Sequence, residues 1–166
     1  MNNPASIWKP AVAWRVGEAC ARALYPTARP NGARALVDLE TPDGLCVEAK
    51  AARTNGRFCF FDDQIAFLAA RPPKVVAAIY EAPVPLAMWN FRDVARAVRL
   101  LIVVSGAFVA RLARPEGAGA VAVSAGRLVA AALVAGAVAE VRRDVHLRSR
   151  SGLRVRVPVL PILRLP

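Results

Sequence analysis

Histidine, cysteine and lysine are all scarce in this 166-residue chain, which has one His, three Cys and only Lys9, Lys50 and Lys74 among its 23 basic residues. The single histidine, His146, has no second imidazole with which to build a metal site and reads as a surface residue. Cys20, Cys46 and Cys59 lack the even count of a disulfide framework and the paired spacing of a zinc site, which leaves buried thiols in a reducing interior. Long apolar runs are missing too. The two longest candidates, residues 100–110 and 128–139, fall short of the ~20 residues that span a bilayer. The opening Met-Asn-Asn-Pro does not have the basic-then-apolar layout of a signal peptide. A cytoplasmic protein without a membrane partner is the expectation.

Apolar residues make up 56% of the chain, enough for one ordinary domain with a core. Acid is the minority charge, with 12 Asp and Glu against 23 basic residues and a net charge of +11. The imbalance is uneven. Residues 1–83 carry ten basic and eight acidic side chains, and residues 84–166 carry thirteen and four. A surplus of arginine favours a polyanionic partner such as nucleic acid, although it also serves solubility.

Pro10 followed by Val12, Val16, Cys20 and Leu24 at a spacing of four predicts a helix over 11–24. Residues 35–40 and 45–51 read as two strands joined by Pro42-Asp43-Gly44. In that loop proline presets the first turn residue and glycine takes the left-handed position. Residues 57–61 read as a short strand. Asp62 is an N-cap candidate for a helix over 63–70, and 74–81 is a continuous apolar run suited to a buried strand. The order indicates an α/β sandwich with a mixed sheet. Beyond Pro85 the pattern is weaker. It suggests a helix opened by Asn90 or Asp93 and running to Arg99, strands at 100–104 and 108–112, and an Ala-rich helix over 127–143, with 117–126 ambiguous. Near the end, Val145, Leu147, Leu153, Val155, Val157 and Val159 alternate with basic residues about a turn at 149–152. This predicts a hairpin with one apolar and one basic face.

The first hairpin carries the chemistry. With a three-residue loop, Thr41 pairs with Leu45 and Asp38 lies opposite Glu48. Leu36, Asp38 and Glu40 then share a face with Cys46, Glu48 and Lys50, while Val37, Leu39, Val47 and Ala49 form the apolar face. Facing carboxylates repel, so the arrangement calls for a cation. Lys50 is one, and a divalent ion held by one or two carboxylates is a fuller answer.

Val37-Asp38, a nine-residue interval and Glu48-Ala49-Lys50 resemble the signature of the PD-(D/E)xK nucleases, the restriction-endonuclease-like superfamily that includes archaeal Holliday-junction resolvases. Val37 stands where the motif's name has proline. The resemblance covers roughly the first half of the chain. It implies a restriction-endonuclease-like αβββαβ core over 1–83 with a mixed central sheet, and a basic, β-rich or mixed extension over 84–166 packed on the core or forming an interface. It also implies hydrolysis of DNA phosphodiesters by water activated at Mg²⁺ or Mn²⁺, with Asp38 and Glu48 as metal ligands and Lys50 acting on the water or the transition state. Glu18 in the first helix and Gln64 near the start of the second would assist, Glu18 also as a metal ligand. Branched or single-stranded DNA, RNA and a homodimer all remain open.

Each residue has a plainer reading. Glu18 has Arg22 four residues on, the spacing of an ordinary helix ion pair, and Gln64 suits any first helical turn. Arg34, Arg53, His146, Arg148, Arg154 and Arg156 are candidates for phosphate contacts, or simply a solvated basic surface. Trp8, Trp14, Trp89 and the Phe58, Phe60, Phe61 cluster read as core or interface anchors. Two rival functions stay in view: a nucleic-acid-binding module without cleavage on the same scaffold, and an interaction protein that uses its apolar and basic second half.

Overall fold

The computed structural model describes residues 4–32, 35–70, 73–81, 90–149 and 152–166, with side chains described from Trp14 onward. The fold is mixed α/β. A first helix, α1 (Pro4–Leu24), leads through β1 (Arg29–Pro30) and β2 (Leu39–Glu40) into β3 (Cys46–Arg53) and β4 (Arg57–Phe61). Then come α2 (Asp62–Ala70), β5 (Lys74–Tyr80), α3 (Phe91–Ala97), β6 (Val98–Ser105), α4 (Gly106–Leu112), β7 (Arg114–Gly117) and β8 (Ala120–Ser124). The chain closes with α5 (Ala125–Val134), β9 (Val138–Arg148) and β10 (Arg154–Arg164). Seven strands form one sheet in the order β1-β2-β3-β5-β6-β10-β9, and a second sheet runs β4-β8-β7.

The central strands of the large sheet are covered on both faces. On one side α1 and α3 bury Val16, Cys20 and Val94 against Val47, Ala49, Val76, Leu101 and Leu160. On the other, α2, α4, α5 and the small sheet bury Leu68, Val109, Leu128, Phe58 and Phe60 against Val75, Ala77, Ile102 and Val104. The continuous apolar run of β5 follows from this, since a strand between two layers has no wet face. Strands from both sides of the expected division at residue 83 share the large sheet, so the second half is woven into it. The division itself falls in 82–89, outside the described residues.

The β2–β3 turn forms as its residues dictate. The Gly44 N–H donates to the Thr41 carbonyl, Gly44 has φ 86°, and Leu39 pairs with Val47 and Glu40 with Cys46. Continuing that register sets Asp38 across from Glu48. The strand expected over 35–40 is shorter, because the chain bends at 36–38 before β2 begins. Asn31 holds the bend: its N–H donates to the Asp38 carbonyl at 2.8 Å and its side-chain amide to the Val37 carbonyl at 3.1 Å. Val37 therefore turns into the second cluster and leaves the set it was expected to share with Leu39 and Val47.

Other elements differ from expectation for local reasons. The first helix starts at Pro4, ahead of Pro10. Residues 108–112 lie in α4 and not in a strand, because the Ser105 hydroxyl accepts the Phe108 N–H and caps a helix there. The helix expected over 127–143 stops at Val134. Gly136 adopts φ 84°, its N–H goes to the Leu133 carbonyl and that of Ala137 to the Ala132 carbonyl, a glycine-terminated helix end from which β9 emerges. The stretch 117–126 holds the β7–β8 turn, β8 and the start of α5. The closing hairpin forms with the expected alternation at its tip, where Leu147, Val155 and Val157 are buried. Leu153 and Val159 are exposed.

Candidate active site

Four side chains from three segments converge at the middle of β3, just beyond the point where β2 stops pairing with it. α1 crosses this strand closely, since a Cβ on Gly17 would stand 3.0 Å from the carbonyl carbon of Lys50. That contact seats Val16, Ala19 and Cys20 on the face carrying Val47 and Ala49, and turns Glu48 and Lys50 toward α2 and the small sheet.

Glu48 is 1% exposed. Its Oε1 receives the Lys50 ammonium at 3.0 Å and the Gln64 amide at 2.7 Å. Gln64 also accepts from Lys50 Nζ at 3.2 Å and donates to the Leu36 carbonyl at 3.0 Å, so it ties the start of α2 to both sides of the hairpin. Lys50 Nζ lies 4.8 Å from the centre of the Phe60 ring, a cation–π contact that fixes its reach. Asp38 comes from the bend. Its Oδ2 accepts the Ala49 N–H at 2.8 Å, the donor that the Val37 carbonyl would have met had the ladder continued.

The electrostatics follow from burial. Desolvation raises Glu48 from its ordinary 4.5 to about 7; Lys50 opposes the rise and the Asp38 carboxylate adds to it. Asp38 is also raised by desolvation, against the lowering effects of the Ala49 N–H, Lys50 and Glu48. With both groups ionised neither can donate, and Glu48 Oε2 is then a fully buried oxygen with no hydrogen-bond partner among the described residues. Buried orphans of this kind are rare and call for an explanation.

A hard divalent cation is one. Two carboxylates with a single ammonium leave a net negative site, and Mg²⁺ or Mn²⁺ commonly takes one or two carboxylates while keeping several waters. Asp38 and Glu48 fit that role. Among the described residues no three His, Cys, Asp or Glu side chains cluster as a metal site. Glu18 is buried on α1, the helix covering the opposite face of β3, and forms an ion pair with Arg22 at 3.8 Å.

The four side chains open into a cleft of about 910 Å³. Arg53 is exposed at its wall. Arg34 and Trp89 lie outside the described residues, as does the side chain of Trp8. Trp14, 40% exposed, and Phe61, 72% exposed, line the cleft and are not core anchors. Arg57 lines it as well. Alternation along β4 held the clue to these, since Phe58 and Phe60 point inward and Arg57, Cys59 and Phe61 outward. His146 pairs with Arg156 and Arg148 with Arg154 across the β9–β10 hairpin, so the four do share a face. That hairpin lies three to four strand positions from β3, roughly 14–19 Å away.

No protein-family model, curated protein or solved structure matches the chain. Among the described residues no helix is long and apolar enough to cross a membrane.

Proposed function

We propose that this chain is a metal-dependent nuclease with a restriction-endonuclease-like core, hydrolysing phosphodiester bonds of nucleic acid, DNA first, at Asp38, Glu48, Lys50 and Gln64. One observation carries the reading: at the mouth of a cleft the buried Glu48 lies beside the half-buried Asp38, and its Oε2 has no donor among the described residues while Lys50 is held at Oε1. The element order α1, β1, β2, β3, α2, β5, with β4 diverted to the second sheet, supports the αβββαβ assignment.

Asp38 and Glu48 would hold Mg²⁺ or Mn²⁺, which when bound neutralises phosphate charge and lowers the pKa of water. Lys50 has three N–H donors, of which Glu48 and Gln64 take two. The third is available to a phosphate oxygen or to the attacking water. Gln64 keeps Lys50 and Glu48 in register, and Phe60 limits the directions the ammonium can take. The reaction adds water across one P–O bond, leaving a phosphate monoester on one product and a hydroxyl on the other. Labelled single-stranded, duplex and branched DNA, with RNA alongside, incubated with Mg²⁺ or with chelator, test the proposal. Cleavage by the wild type that chelator and Asp38→Ala both abolish is the expected result.

The reading without cleavage has its own support in the exposed basic face of the β9–β10 hairpin, where Arg148 stands directly opposite Arg154. It predicts salt-sensitive DNA binding, indifferent to Mg²⁺, with no product.

A further inference from the structure

The outer face of the small sheet holds a second cavity, of about 570 Å³, that meets the cleft at Gly56 and Arg57. Its make-up follows from strand register. Arg57 pairs with Ser124, and Ala122 pairs with Arg114, so these four side chains share one face. Ala122, opposite Arg114 on one side and diagonal to Arg57 on the other, is small, and its lack of bulk leaves the depression they flank. Arg127, from the first turn of α5, closes a third side. Of the three guanidinium groups only that of Arg57 is paired, with Glu116 at 3.1 Å; Arg114 and Arg127 form no ion pair among the described residues. The cavity therefore keeps a surplus of two positive charges. The positive end of α5, capped by Ser124, opens at the same place.

We infer that this cavity binds phosphate groups of a nucleic-acid strand as it leaves the cleft, through Arg57, Arg114 and Arg127. The inference rests on the proposed nuclease reading for its choice of ligand. Arginine presents a planar fork of donors suited to phosphate oxygens, and such contacts set the position of a strand without reading its sequence. Continuity with the cleft gives the track its direction. A strand whose scissile phosphate lies at Lys50 passes along the cleft wall at Arg57 and reaches Arg114 and Arg127 beyond it.

The test is equilibrium binding of short labelled DNA, single-stranded and duplex, in chelator so that no cleavage occurs, over a range of salt. Arg114→Ala and Arg127→Ala are each expected to weaken binding about tenfold at moderate salt and to reduce the slope of log K against log salt by about one. Replacing all three arginines should reduce it by about three. Arg92→Ala/Arg96→Ala/Arg99→Ala, on α3 and the adjoining start of β6, removes the same charge and should have little effect. An unchanged slope in Arg114→Ala, or an equal loss in the α3 variant, overturns the inference. So does stabilisation by inorganic phosphate that Arg114→Ala abolishes while DNA affinity stays intact, because the cavity then takes free phosphate. Arg114 is exposed, so its single substitution keeps the test valid if the triple variant does not fold. Failure of the nuclease reading registers separately, as missing Mg²⁺-dependent product with these binding results unaffected.

Discussion

The ammonium of Lys50 stands 3.0 Å from Oε1 of Glu48, a carboxylate whose other oxygen is buried without a hydrogen-bond partner among the described residues. Half of the carboxylate is therefore satisfied by the protein and half is left for something else. Glu48→Gln separates the two halves. It removes the charge while nearly keeping the shape, so Mn²⁺ binding, followed by calorimetry, should fall below detection. Above pH 7 the metal-free variant should unfold at higher denaturant than the wild type, because it no longer buries an ion beside Asp38.

A pH dependence follows from the same group. Burial lifts Glu48 from 4.5 to about 7. The folded protein thus holds this proton more tightly than the unfolded chain, and the stability it contributes is complete below about pH 4.5 and lost as pH rises through 7. The full effect is on the order of 3 kcal/mol. Urea unfolding of metal-free protein across that window should show the decline, and Glu48→Gln should flatten it. Mg²⁺ competes with the proton, so its affinity should rise over the same range.

Lys50→Ala leaves Glu48 with Gln64 alone at Oε1. Cleavage should drop by about 10²-fold or more, as when a group acting on the transition state is lost. Metal affinity should hold or improve, because the competing cation is gone. Stability above pH 7 should fall by about 1–3 kcal/mol and recover in part when Mg²⁺ is added.

Gly17→Ala tests how the site is positioned. The added Cβ would press on the Lys50 backbone at 3.0 Å, and overpacking of this kind costs about 1–3 kcal/mol. Relief requires α1 and β3 to shift apart, which moves Lys50 and Glu48. Cleavage should suffer more than DNA binding, measured side by side on the folded fraction.

Phe61 exposes 72% of its surface at the cleft and contributes little to the core. Phe61→Ala should leave the unfolding curve unchanged. If unstacked bases lie against the ring, affinity for single-stranded DNA should fall by about 1–3 kcal/mol, with a smaller loss for duplex.

The hairpin and its three site side chains, Asp38, Glu48 and Lys50, were legible in the sequence because short-range chemistry sets them, whereas Gln64 on α2 was named only through the family resemblance. Pro42-Asp43-Gly44 defines the loop, the loop defines the register, and the register places Asp38 across from Glu48. The bend at 36–38 was not legible, because it depends on Asn31, at the end of β1, reaching the Val37 carbonyl. The small sheet was hidden for a similar reason. Phe58 and Phe60 alternate plainly, but their partners Val123 and Val121 sit in a glycine- and alanine-rich stretch that favours no single period. Gly136 did carry a helix-stop signal, and the alanine content around it obscured that signal. Arg114 and Arg127 come together with Arg57 only through pairing of β4, β8 and β7, so residue spacing could not announce them.

The central claim is tested most directly by single-turnover cleavage of labelled DNA by purified wild-type and Glu48→Gln protein, titrated with Mg²⁺ above pH 7. Product is expected to appear with Mg²⁺ in the wild type, to saturate, to disappear with chelator, and to be absent from Glu48→Gln at every Mg²⁺ concentration. Cleavage by Glu48→Gln at the wild-type rate, or no product from well-folded wild type on any of the DNA and RNA substrates, would contradict that claim.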